Sequence, residues 1–194
     1  MNTTALILCA GRGTRLRPLT YFVPKPALVF DRLSIIERTL IELFLNGINR
    51  VFINLHHLPE KVKRSITFPV TNLYEPELLE TAGAIREYAQ YFSDPFFVIN
   101  GDTILTDFSF KRMMDFHRES KKLATVFTKY TLTRNGGVFV FSKEALEYIP
   151  HKKLCSIHKD WLPKLGGKVA IYRQGDYEDI GTWKKYIKAK LKYG

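Results

Sequence analysis

Cysteine is scarce in this 194-residue chain: there are two, Cys9 and Cys155, far apart in sequence. Two such thiols make neither a disulfide framework nor a Cys/His zinc cluster. Cys9 lies in an apolar run and is expected to be a small buried side chain. Long hydrophobic runs are also lacking. The run near the N-terminus, Ala5 to Ala10, is six residues, against the ~20 that a membrane span needs. No basic stretch precedes it, so a cleaved signal peptide is not expected and the expected location is cytoplasmic, with no membrane partner. Acidic side chains are in deficit, 19 against 30 lysines and arginines, for a net charge of +11. That balance favours polyanions such as nucleotides, sugar phosphates or nucleic acid. No helix-turn-helix, zinc or RNP-like pattern accompanies it, which argues against nucleic acid as the partner.

What is present suits one globular domain spanning residues 1–194, with 45% hydrophobic composition. Short apolar runs predict buried strands at Ala5–Ala10, Arg50–Leu55, Val70–Tyr74, Phe96–Asn100, Leu123–Thr128, Val138–Phe141 and Val169–Arg173. Helical spacing predicts helices at Ile35–Leu45, Pro59–Ile66, Gly83–Phe92, Phe108–Ser120 and Thr182–Lys192, with helical turns at Lys143–Tyr148 and Ile157–Leu165. Strands alternating with helices indicate an α/β fold, a Rossmann-like and mostly parallel sheet with helices on both faces. Ligands bind such sheets at the carboxyl ends of strands, so the loops after Ala10, Asn100 and Arg173 are expected to share a crevice. The local excess of Lys184, Lys185, Lys188, Lys190 and Lys192 reads as a solvated helix face.

The loop after the first strand, Ala10-Gly11-Arg12-Gly13-Thr14-Arg15-Leu16-Arg17-Pro18, carries the clearest chemistry. Gly11 and Gly13 let backbone N–H groups approach a ligand. Arg12, Arg15 and Arg17 supply charged donors for phosphate oxygens. Leu16 stands where a dinucleotide fingerprint needs its third glycine, and the Gly-Lys-Ser/Thr of a P-loop is missing. Downstream, Pro24 and Pro26 stiffen the chain around Lys25 and restrict where its ammonium points. His56 and His57 are adjacent at a strand end and point to opposite sides, which argues against a metal pair.

These segments resemble a known family. Leu8-Cys9-Ala10-Gly11-Arg12-Gly13-Thr14-Arg15-Leu16-Arg17-Pro18-Leu19-Thr20, followed by Pro24-Lys25-Pro26, is similar to the signature of the sugar-phosphate nucleotidyltransferases, which have a GT-A-like nucleotide-diphospho-sugar transferase fold. Further matches follow in that family's order: Glu80-Thr81-Ala82-Gly83, Val98-Ile99-Asn100-Gly101-Asp102, Asn135-Gly136-Gly137 and Asp179-Ile180-Gly181-Thr182. The resemblance implies transfer of a nucleoside monophosphate from an NTP to a sugar 1-phosphate with release of pyrophosphate. It implies Mg2+ held by Asp102 and Asp179, and Arg15, Lys25 and Asp102 as the catalytic residues. Leu8, Ala10, Gly11, Gly13, Thr14, Arg15, Lys25, Thr81 and Gly83 would contact the nucleotide, and Asn135, Gly136 and Glu178 the sugar. A homodimer is an assembly open to it.

The likeness is strongest to mannose- and heptose-1-phosphate guanylyltransferases. A uridylyltransferase of the same family, or a catalytically weakened regulatory protein that binds nucleotide sugars, are the alternative readings. Three departures are visible. Leu33-Ser34 replace a Lys-Pro pair, Tyr177 replaces a tryptophan, and nine residues separate Val126 from Gly136, where the family has a longer stretch often carrying a lysine for the sugar phosphate. Lys129 is the candidate substitute.

Overall fold

The computed structural model describes residues 3–132 and 135–194. Its elements in chain order are β1 (Thr4–Leu8), β2 (Val29–Phe30), β3 (Leu33–Ser34), α1 (Ile35–Leu45), β4 (Arg50–Leu55), α2 (Pro59–Arg64), β5 (Thr71–Tyr74), α3 (Glu80–Glu87), β6 (Phe96–Asn100), β7 (Thr103–Thr106), α4 (Phe110–Ser120), β8 (Ala124–Phe127), β9 (Val138–Phe141), α5 (Leu162–Leu165), β10 (Val169–Tyr172), β11 (Asp176–Asp179) and α6 (Trp183–Tyr193). Seven strands form one sheet in the order β10-β8-β9-β6-β1-β4-β5. β4, β1 and β6 run parallel, as do β4 with β5 and β8 with β10, while β9 is antiparallel to both neighbours. The segment joining β8 to β9 is too short for the dozen-residue crossover that a parallel neighbour requires, so the strand returns antiparallel. The mostly parallel sheet expected from sequence is therefore present, with one reversed strand.

Side-chain alternation on β1 divides the core into two layers. Ala5, Ile7 and Cys9 pack with Ile36, Leu40 and Leu43 of α1, Val62 of α2 and Met113 of α4. Leu6 faces the other way, toward Ala82 and Ile85 of α3 and toward Trp161 and Leu165. Helices thus cover both faces. α1 begins where predicted because Ser34 caps it, accepting from the Glu37 N–H at 3.1 Å. It ends at Asn46 and Gly47, whose φ of 75° is costless only for glycine. Glu37 spends its carboxylate on the Thr67 N–H at 3.1 Å and so ties α1 to the segment after α2.

Several boundaries differ from expectation for local reasons. β1 stops at Leu8, not Ala10, because the Cys9 N–H is taken by Asn54 Oδ1 at 2.6 Å instead of a neighbouring strand. The segment predicted as a helical turn over Ile157–Leu165 divides into a π turn, Ile157–Trp161, and α5. Ser156 and Asp160 cap that turn reciprocally: the Ser156 N–H donates to Asp160 Oδ2 at 2.8 Å, and the Lys159 N–H donates to Ser156 Oγ at 3.4 Å. Lys143–Tyr148 is a 3-10 turn. The short hairpin β2–β3 and the ribbon β7–β11 were not predicted. Both are of two to four residues, too short to show alternation.

The ribbon matters most for function. β11 pairs antiparallel with β7, aligning Asp179 with Thr103 and Glu178 with Ile104. A third apolar cluster, including Leu16, Phe30, Ile35, Ile104, Ile180 and Ala189, clamps this ribbon and α6 against the loop after β1. β10 itself is an edge strand, so the loop after it reaches the centre of the sheet through β11. No described helix is long and apolar enough to cross a membrane.

Candidate active site

Two joined cavities open at the carboxyl ends of β1 and β6. The first, about 360 Å³, is lined by Leu8, Ala10, Gly11, Gly13, Lys25 and Thr81 among the residues singled out from sequence. The second, about 640 Å³, is lined by Arg15, Asn135, Glu178 and Asp179. Asn100 and Asp102 line both, so Asp102 stands where they meet. Thr14, Gly83 and Gly136 line neither. Thr14 sits on an exposed 3-10 turn. Gly83 is pressed against the 153–155 backbone, its N–H bonded to the Cys155 carbonyl at 3.0 Å. Gly136 lies against the ring of Phe127, which a Cβ would meet at 2.4 Å.

The junction is built by backbone proximity. The Gly101 N–H donates to the Leu8 carbonyl at 3.0 Å, and a Cβ on Gly101 would stand 2.7 Å from that oxygen. No other residue fits without moving β1 or Cys9. This contact delivers Asp102 directly onto the glycine loop. Gly13, at φ 62°, turns the loop, and a Cβ there would lie 3.2 Å from Lys25 Cγ. The stem of Lys25 therefore runs against Gly13, and its ammonium meets Asp102 Oδ2 at 2.7 Å. Lys25 is buried, which its flanking prolines alone did not foretell.

Asp179 is placed by the ribbon. Its Oδ1 accepts the Gly181 N–H at 2.6 Å, and its Oδ2 accepts from Lys185. Burial pushes its carboxyl pKa up. Lys185, the Gly181 N–H and the nearby Lys25 charge outweigh that and hold it below the usual value. The Ile180 N–H donates to the Asp102 carbonyl at 3.3 Å, so the two carboxylates belong to adjoining backbone segments. Arg15 lies alongside, with Nη2 3.1 Å from where a Cβ on Gly181 would be. Arg17 points elsewhere, over the Tyr21 ring at 4.9 Å.

As a site for a divalent ion, the pair is a partial donor set. Among the described residues no group of three or more His, Cys, Asp and Glu gathers for a metal. Two carboxylates facing one cavity suit Mg2+ completed by phosphate oxygens and water, since that ion seldom uses an all-protein cage. His56 and His57 bond backbone carbonyls, those of Glu75 at 2.9 Å and Thr20 at 2.7 Å.

Sequence reading missed a buried polar chain behind the first cavity. Asn54 Nδ2 donates to Glu75 Oε1 at 2.7 Å, and Glu75 Oε2 accepts the Leu79 N–H at 3.1 Å. Both side chains line the cavity. Burial raises the Glu75 pKa against the hydrogen bonds that lower it. Polar residues on an apolar strand, Asn54 on β4 above all, were the available signal. Glu80 also lines this cavity, in the left-handed region at φ 59°, a conformation that non-glycine residues adopt at a cost. In the second cavity the missed residues are His158, Tyr130, Asp176, Lys185 and Lys188. His158 packs on Phe139 with ring centroids 5.5 Å apart, and burial lowers its pKa. Lys129, the lysine singled out for the acceptor, is bound to Asp176 at 2.5 Å.

A mostly parallel sheet carries a glycine turn, a buried lysine and two carboxylates at the carboxyl ends of its strands, the place where open α/β sheets take ligands. Residues 4–136 match the family model described as Nucleotidyl transferase, and the chain belongs to that family. It is 29% identical to the mannose-1-phosphate guanylyltransferase catalytic subunit beta of Xenopus tropicalis, over 97% of this chain and 64% of the relative. It is 26% identical to a UTP–glucose-1-phosphate uridylyltransferase of Synechocystis, over 95% of this chain and 62% of the relative. The chain thus spans just under two thirds of these relatives. The first alignment runs 232 positions, more than the chain's own length, so that relative carries residues within the matched span that this chain lacks. Crystal structures of HddC from Yersinia pseudotuberculosis, one complexed with GMP-PN, superpose with a TM-score of 0.81 at 23% identity, covering 98% of this chain and 99% of that one. This last likeness establishes the GT-A-like fold.

Proposed function

We propose that the protein joins an NTP to a sugar 1-phosphate, forming a nucleoside-diphosphate sugar and releasing pyrophosphate. The observation that carries this reading is the meeting of Lys25 and Asp102 at 2.7 Å where the two cavities join. Two anionic substrates can approach from opposite sides of that point. The nucleotide occupies the cavity of the glycine loop, its phosphates on the Gly11 and Gly13 amides, with Thr81 toward the base. The sugar 1-phosphate occupies the cavity of Asn135 and Glu178. A phosphate oxygen of the sugar forms a new bond to the α-phosphorus, and the bond from that phosphorus to the bridging oxygen breaks, with pyrophosphate leaving. The nucleophile is already ionised at neutral pH, so no general base is needed.

Lys25 neutralises charge building on the α-phosphate, and Arg15 faces the departing pyrophosphate. Holding both reactants in line supplies much of the remaining acceleration. Asp102 and Asp179 would hold Mg2+, which when bound supplies charge neutralisation between the two phosphates.

Guanylyl transfer is the favoured form. The guanylyltransferase relatives support it, and so does Glu80, which lines the first cavity and whose carboxylate could offer two acceptors to the adjacent N1–H and N2–H2 donors of guanine. The uridylyltransferase relative supports a second form with UTP. A cytoplasmic setting, where NTPs are abundant, completes the reading.

Pyrophosphate release measured with four NTPs against a panel of sugar 1-phosphates tests it. Turnover is expected with GTP and a hexose or heptose 1-phosphate. Asp102→Asn should lower kcat by about 10²–10³ with an unchanged circular dichroism spectrum. Absence of pyrophosphate with every pair would falsify the proposed reaction. Near-native turnover in Asp102→Asn would remove the metal assignment.

A further inference from the structure

The second cavity has an unusual charge arrangement. Its carboxylates are each held by a lysine: Asp102 by Lys25, Asp176 by Lys129, Asp179 by Lys185, and Glu178 by Lys188 and Lys192 at 3.3 Å each. Of these cations Lys185 and Lys188 themselves line the cavity. They stand three residues apart on α6, hence on one helix face. Lys190 of the same tail is used differently: it lies over the Phe30 ring at 5.0 Å.

A sugar 1-phosphate brings a dianion into this space. Its charge must be met where carboxylates already stand, and Arg15, which also lines this cavity, is assigned above to the leaving pyrophosphate. The side chains of Lys185 and Lys188 are 51% and 70% exposed on long flexible stems. Ion pairs so exposed are weak, so either ammonium can turn from its carboxylate to an incoming phosphate at small cost. Phosphate, with more charge and three acceptor oxygens, is the stronger partner. Lys129 and Lys192 do not line the cavity and are less well placed.

We propose that Lys185 and Lys188 of α6 receive the phosphate of the acceptor and set its affinity. The proposal rests on the reaction proposed above and assigns the residues of its acceptor side. The basic tail is then part of the site, not a solvated face alone.

The test compares the wild type with Lys188→Ala, the double variant Lys185→Ala/Lys188→Ala, and Lys188→Arg. Alanine is a strong helix former at these exposed positions, so α6 should persist. Lys185 touches Asp179, so Lys188 is the cleaner single change. The double variant should raise the acceptor KM by about tenfold or more, leave the NTP KM unchanged, and show partial recovery when arginine replaces Lys188. An acceptor KM equal to wild type in the double variant overturns the proposal. Calorimetric titration with mannose 1-phosphate, glucose 1-phosphate and inorganic phosphate reads the same site without turnover. If the wild type releases no pyrophosphate but binds these phosphates, and the double variant does not, the reaction is refuted while the lysine assignment stands. Binding that is absent from the wild type, or equal in both proteins, overturns the lysine assignment.

Discussion

The two cavities hold their carboxylates in opposite ways. In the first cavity Glu75 is buried against neutral donors, Asn54 Nδ2 and the Leu79 N–H, and burial raises its pKa. In the second cavity Asp179 is matched by Lys185 and by the Lys25 charge, which against the effect of burial hold its pKa down. The first region is set by short, buried hydrogen bonds between strand ends. The second is set by long side chains at the surface. On the reaction proposed above, the contrast divides the labour: rigid backbone geometry for the nucleotide, and movable charge for a second substrate that must enter and leave.

The largest effect should come from the buried chain. Asn54→Ala strands the Cys9 N–H and one Glu75 oxygen, and should cost about 1–3 kcal/mol in urea unfolding. A loss near zero would mean that this cavity is no more rigid than its neighbour. The next test uses pH. The Glu75 carboxyl titrates above its ordinary 4.5 when folded, so its contribution to stability is full below that value and is lost as pH rises through the raised one. Asp179 titrates below its ordinary 3.8, so its contribution is present above that value and is lost as pH falls through the lowered one. Unfolding curves from pH 3 to 7 should therefore show Glu75→Gln gaining on wild type as pH rises. Asp179→Asn should fall behind wild type over the same range. Parallel curves would erase the contrast. The smallest effect belongs to the rim: Lys129→Ala breaks an exposed pair with Asp176 and should change stability by less than about 0.5 kcal/mol.

How much was legible follows the same division. Gly11, Gly13 and Lys25 were readable because the glycine loop and the two prolines are local in sequence and constrain backbone directly. Helix α1 was bounded correctly because its apolar period is long and its caps are present, and strands β4, β6 and β9 because each is a mostly apolar run. The β7–β11 ribbon was invisible. Thr103 and Asp179 are far apart in the chain, and four-residue strands carry no period. Lys185 and Lys188 were read as a solvated face because helical spacing alone cannot reveal that the ribbon beside α6 leaves a cavity under one side of it. Glu75 and Asn54 needed the register of β4 with β5 before they could meet.

Cys9 turns the tight β1–β6 junction into something measurable. The thiol is 1% exposed, and burial, reinforced by the Asp102 charge, drives its pKa far up. Alkylating reagents attack the thiolate, so Cys9 should stay inert while Gly101 remains seated on Leu8, although it neighbours the loop proposed to take the nucleotide. Its rate of modification is then a clock for the parting of two strands, and a bound nucleotide should slow that clock.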